Sequence, residues 1–466
     1  MDKPKHTMSK HKFFSKSGDK VTPENLGEAI QQAIEIEIAT IPIYLYTYYS
    51  INRSPDQDAI SGSLAQKLVA KGKTAKEASE IALDLSAEIM VFSNKTGALI
   101  MSVAIEEMLH MALSSNLKQA LAGRPELVGK SPSVWPACLP GHIPAFDIDR
   151  AKLSQDQLMT FLKIESPDPL PDPKMLKAIE YRTIGEFYDM IKTCIDQNDL
   201  PFRTFLPQLI EGNGYYNANN IDTVYYDKEH KPHFTNDDGP DSGDLVYIRD
   251  KASANKAIDF IVEQGEGSKA PGLNPDGSVN CGAIVPGDFD DPDKKELSHF
   301  AKFQEIYCTY KRLNERFVAL DIGVNDINQY FVANVAKNPL TKDYPANIAP
   351  VSDLLNAVYT YIFVMVEDCY VKSGNTQWET FMFGIHKSMI FILNSICGDI
   401  MNLSYTGPDG KEYVVAPTFE DYPFGLLSSP KSQLIDLFNA AVAVYPAISY
   451  LGQRIQDLPD APLHNN

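Results

Sequence analysis

The chain is short of positive charge, of cysteine, of phosphate-binding glycine loops and of long apolar runs, and each shortage removes a class of function. Lys and Arg number 42 against 61 Asp and Glu, a formal net charge of −19, which repels nucleic acid and anionic membrane. Neither is expected as a partner. The six cysteines (Cys138, Cys194, Cys281, Cys308, Cys369, Cys397) are scattered, with no CxxC pair and no dense disulfide spacing, which fits a reducing, cytoplasmic setting. No stretch reaches the ~18 uninterrupted apolar residues of a membrane span, and the basic start MDKPKHTMSKHKFFSKSGDK lacks the apolar segment of a signal peptide. EQGEGSKAPG has glycines without Walker spacing and reads as a turn. What is present, 44% hydrophobic and 10% aromatic residues over 466 positions, is enough for one large core or two smaller ones.

Strand patterns are few and confined to loops, whereas helical periodicity recurs. Thr22-Pro23-Glu24 is a helix start, and the pattern runs to about Asn52, with Pro42 inside it expected to free a backbone carbonyl and bend the helix. A second long helix is predicted over 75–122, ending at Gly123, with a break near Asn94. Residues 124–172 are proline-rich and read as loop; a third helix follows over 174–196, then an irregular insertion over 200–290 with one short helix. Asp291-Pro292 opens a fourth helix, and three more helical patterns lie near 351–372, 376–402 and 430–455. The expected architecture is mainly α. It consists of a loose tail over 1–22, a four-helix bundle over 23–330 carrying the 200–290 insertion, and a helical extension over 331–466 packed on it.

The chemistry is concentrated in two Glu-x-x-His pairs, Glu107 with His110 and Glu296 with His299. Residues three apart on a helix share a face, so each pair can present a carboxylate and an imidazole to one point. One such pair is weak evidence; two on separate helices match the bundle site that holds two metal ions, which also needs one inward glutamate from each remaining helix. Glu37 shares the apolar stripe of Ile34, Ile41 and Tyr44, and Glu186 falls on the seam of Leu176, Ile179, Thr183 and Met190. The expected metal set is therefore Glu37, Glu107, His110, Glu186, Glu296 and His299. Glu107 and Glu296 would bridge the ions at the centre of the chemistry, with Glu37 and Glu186 terminal. Glu35 is read as peripheral, and Glu106 as an outer partner of the site or an exposed carboxylate. Carboxylates gathered in a low-dielectric interior need cations, and mixed oxygen and nitrogen ligation suits two iron ions, with manganese the alternative. The loop histidines His230 and His233, beside Asp227, read as solvated, and nothing indicates haem.

The phrases EIATIPIYLYTYYSI, AIEEMLHMALSSNL, TIGEFYDMI, IDFIVEQGEG, ELSHFAKFQEI and APTFEDYP resemble, in order, the ferritin-like domain of the iminophenyl-pyruvate dimer synthase family. That family includes violacein- and rebeccamycin-pathway enzymes that couple tryptophan-derived imines. The resemblance spans about residues 23–425 and implies a ferritin-like bundle carrying the same six ligands, in an enzyme of secondary metabolism. Two functions follow as expectations. One is a non-haem di-iron oxidoreductase that uses dioxygen on a small, amino-acid-derived metabolite, either alone or as a homo-oligomer; the other is a metal-binding, ferroxidase-like protein with no organic substrate. The resemblance adds an imine-coupling enzyme as a further alternative.

Overall fold

A computed structural model describes residues 21–167, 169–170, 179–209, 245–267, 273–274, 277–282, 297–323, 327–385 and 387–464. Its first helix, α1 (Leu26–Tyr49), continues through Pro42. Of its residues only Gly27, Glu28 and Tyr49 escape full burial. A helix apolar nearly all round must be covered on every side. One cover is α3 (Ala75–Leu121), a single helix of 47 residues that passes Asn94 without the expected break. Thr74 starts it with a reciprocal cap, its hydroxyl accepting from Glu77 N at 3.3 Å while Glu77 accepts from Thr74 N at 3.0 Å. A helix the sequence pattern did not single out, α2 (Gln57–Ala70), packs along α3.

The proline-rich stretch over 124–172 contains a helix as well, α4 (Gln155–Ile164), started by Ser154 accepting from Gln157 N at 3.1 Å. The third predicted helix is shorter than expected: α5 spans Ile184–Gln197. It packs on α6 (Lys251–Gly265), while α4 packs on α7 (His299–Ala319), and α3 touches both α6 and α7. The bundle around the site is thus α1 and α3 closed by α4, α6 and α7, with α5 at one end.

After residue 330, α8 (Ala349–Cys369) pairs with α11 (Pro430–Val444), and between them lie α9 (Gly374–Glu379), two π-helical turns (Thr380–Ile385, Ser388–Leu393) and α10 (Asn394–Ile400). Strands β1 (Ser404–Thr406) and β2 (Glu412–Val414) form a small antiparallel hairpin, and α12 (Gly452–Gln456) follows. This region is tied to α3: Tyr370 OH donates to Ala112 O at 3.1 Å, and Gln119 Nε2 donates to Tyr370 O at 2.8 Å. By length and composition α3 and α8 could each cross a membrane, but their apolar windows are 100% and 83% buried within the protein, as in core helices.

Cys281 and Cys308 form a disulfide across 27 residues. This departs from the reading of the scattered cysteines, because sequence spacing cannot show that a loop cysteine folds back onto α7. Disulfides persist in oxidising compartments, so cysteine usage no longer supports the cytoplasmic expectation.

Candidate metal centre

Four of the six expected ligands converge. Glu37 on α1, Glu107 and His110 on α3 and His299 at the start of α7 are each no more than 2% exposed. Among the described residues, Glu107, His110 and His299 each offer a ligand atom within 4.8 Å of the others. His299 Nδ1 lies 2.8 Å from Glu107 Oε1, and His110 Nδ1 lies 4.0 Å from Glu37 Oε2. The two imidazoles stack at 5.1 Å between centroids.

Both rings are gripped from behind. His299 Nε2 donates to Glu106 Oε2 at 2.8 Å; a carboxylate can only accept, so this nitrogen carries the proton and Nδ1 faces the cluster. Lys302 Nζ, buried on the same helix, holds both oxygens of Glu106 at 2.7 Å. His110 Nε2 meets Gln264 Oε1 at 3.0 Å, which turns its Nδ1 inward too. Such outer partners fix the ring and tautomer of metal-binding histidines. The carboxylates are also held. Tyr188 OH donates to Glu37 Oε1 at 2.6 Å and Thr40 Oγ1 to Glu107 Oε2 at 2.9 Å.

The electrostatics describes a site charged by protons. Burial, then the Glu107 charge, holds the Glu37 carboxyl well above its ordinary range. Burial also acts to raise Glu107, but the hydrogen bond and charge of His299 outweigh it and bring it to about 2. Burial pushes His110 down to about 4. For His299 burial is again the largest influence, yet the surrounding Glu106, Glu107 and Glu165 carboxylates overcome it and keep the ring protonated. His299 Nδ1 is buried between Glu107 Oε1 at 2.8 Å and Glu165 Oε2 at 3.6 Å. A cation among these groups would take over the role of the protons, and the donor set of hard oxygens and imidazole nitrogens suits iron or manganese.

One expected ligand among the described residues is not brought in. Glu186 is only half buried, and its Oε2 accepts from Arg182 N at 2.8 Å while its own N donates to Thr183 Oγ1 at 3.0 Å. Thr183-x-x-Glu186 is a helix-start signature, and the carboxylate serves that start. Glu296 lies outside the described residues, as do His230 and His233. Ser298 is an extended N-cap (φ −62°, ψ 162°), and α7 begins at His299.

Two glutamates that the sequence reading passed over lie at the cluster. Glu165, the residue capping the end of α4, has Oε2 3.6 Å from His299 Nδ1 and accepts a short hydrogen bond from Tyr44 OH. Its signal was present: Ser154-x-x-Gln157 is a helix start, and Glu165 continues the stripe of Leu158, Phe161 and Leu162. Glu266, at the end of α6, lines a cavity of about 10 Å³ with Glu37, Glu107, His110 and Glu165. Burial raises its carboxyl to about 7. Gly185 N donates to Glu266 Oε1 at 2.6 Å. That approach needs glycine, since a Cβ at Gly185 would lie 2.3 Å from Glu266 Oε2. No local pattern distinguishes Glu266 from an ordinary loop glutamate.

The match to a ferritin-like family profile agrees with this architecture. No curated protein matches the chain. A crystal structure of a ferritin-like protein from Caulobacter vibrioides is similar, at 17% identity and a TM-score of 0.40, with 80% of this chain and 95% of that one covered. The sequence profile of the ferritin-like family matches residues 30–308, more than half of the chain. The chain belongs to the ferritin-like family.

Proposed function

We propose that the cluster holds two iron ions and that the protein is a non-haem di-iron oxidoreductase using dioxygen to oxidise a small organic molecule. The observation that carries this reading is the pair of inward-facing Nδ1 atoms, His299 against Glu107 and Glu165, His110 against Glu37, with both Nε2 atoms held from outside. Glu37, Glu107, Glu165, His110 and His299 would hold the metal, whose contribution is the redox chemistry with dioxygen. The protein's part is positional. Tyr188, Thr40 and Tyr44 hold the carboxylates, Glu106 and Gln264 hold the imidazoles, and the buried surroundings exclude water. The likeness of the quoted phrases to the iminophenyl-pyruvate dimer synthase family favours an amino-acid-derived substrate in secondary metabolism, with imine coupling as one form of the reaction.

A metal-oxidising protein without organic substrate is the second reading. The small space beside the cluster, about 10 Å³, favours it. The test is metal analysis of the purified protein, followed by anaerobic loading with ferrous iron and exposure to dioxygen under optical spectroscopy. About two irons per chain and an absorption change on oxygen addition, with substrate consumed in a metabolite screen, support the first reading. The same change with no metabolite consumed supports the second, and absence of bound iron rejects both.

A further inference from the structure

A second cavity, of about 30 Å³, lies where the α1 and α3 pair meets the C-terminal helices. Ile41 and Leu45 of α1, Met108 and Met111 of α3, Phe363 of α8 and Met389 of the second π turn are among its walls. Of all its lining side chains only that of Tyr359 carries a strong hydrogen-bonding group, and its hydroxyl is paired with Ser131 Oγ at 3.1 Å. An ordered water needs two to four polar partners, whereas apolar cavities stay dry and take up xenon or small hydrocarbons. The volume suits a molecule of two or three atoms and is too small for an organic substrate.

Its position adds a second argument. Ile41 follows Glu37 by one helical turn, and Met111 follows Glu107 by one turn and adjoins His110, so one wall of the cavity is the continuation of the turns that carry the cluster. The facing wall comes from both π turns, through Phe381, Ile385, Met389 and Leu393. π turns are rare and recur at functional sites. The three methionines, unbranched and polarizable, can shift to let a small molecule pass.

We propose that this cavity is a dry binding site for a small non-polar molecule and that its natural occupant is dioxygen, held beside the metal cluster. The choice of dioxygen rests on the proposed function; the gas site itself does not. Xenon-pressurised crystals of the full chain test the site, with one anomalous peak expected between Met111, Phe363 and Met389. No peak there, or an ordered water, overturns it. Val366→Phe is designed to fill the cavity from α8, away from the cluster, and Ile362→Phe serves if the first variant does not fold. A folded filling variant should lose xenon, keep the iron content of the parent and oxidise ferrous iron severalfold more slowly at limiting dioxygen. An unchanged oxygen dependence in a variant that has lost xenon overturns the dioxygen assignment. Xenon bound to a protein that takes up no iron supports the gas site and rejects the proposed function instead.

Discussion

His110 and His299 enter the cluster through the same nitrogen but are backed by different groups, a neutral amide in one case and a carboxylate neutralised by Lys302 in the other. A carboxylate behind an imidazole makes it a better donor. Glu106→Gln should therefore weaken metal binding by roughly 10- to 100-fold and Gln264→Leu by less, as read by competition titration. Glu107→Ala should lose the metal, whereas Glu186→Ala should keep it, because that side chain caps α5. Loss in the second would return Glu186 to the ligand set, and retention in the first would remove Glu107 from it. Glu266 gives a pH signature in the metal-free chain. Its carboxyl is raised from 4.5 to about 7. Below the lower value it is protonated in both folded and unfolded chains and costs nothing. Between the two values the unfolded chain ionises while the fold resists, so stability falls as pH rises, and the full cost is reached above the upper one. Glu266→Gln should thus gain stability over the parent on the order of 3 kcal/mol at pH 8 and almost none at pH 4, measured by denaturant unfolding.

At the scale of helices, legibility followed the strength of the local pattern. Glu37, Glu107 and His110 could be read because α1 and α3 keep an unbroken helical period over many turns, which sets the inward face unambiguously. His299 is brought to the cluster at the first position of α7, where Ser298 is the N-cap, while its expected partner Glu296 lies outside the described residues. Glu186 lies at the α5 start, where the spacing that marks a seam residue also marks a helix-start glutamate. Glu165 was missed because prolines around α4 masked a helix of 10 residues. That helix offers a direct test. Ser154→Ala removes the hydroxyl that accepts from Gln157 N, at a cost of about 1 kcal/mol. Since α4 ends at Glu165, fraying should also loosen the carboxylate beside His299. The expected result is a modest fall in thermal stability with measurably weaker metal binding. A variant with the stability loss alone would show that Glu165 is held by Tyr44 and not by its helix.

Over the whole molecule, the burial of α1 decides how the parts depend on one another. A bundle helix facing solvent on one side needs only a stripe of apolar residues, but Ile36, Ile43, Tyr46 and Leu45 continue the burial of α1 around the helix. Tyr46 OH hydrogen-bonds to Ala336 O, and Glu367 of α8 accepts from Leu127 N at 2.7 Å and Val128 N at 2.8 Å beyond the end of α3. These contacts cross the boundary that composition suggested near residue 330. Removing residues 331–466 would expose Ile41, Leu45 and Met111 and leave those polar groups without their partners. Each fully buried large apolar side chain contributes roughly 1.5–3 kcal/mol, against the roughly 5–15 kcal/mol by which a fold is stable. Loss of several such contacts is therefore enough to unfold what remains. The chain ending at residue 330 should be aggregated or lack near-ultraviolet dichroism, and the full chain should melt in one calorimetric transition. Two separated transitions, or a soluble and cooperatively folding fragment, would show that the bundle carries its own core and that the C-terminal helices only lie against it.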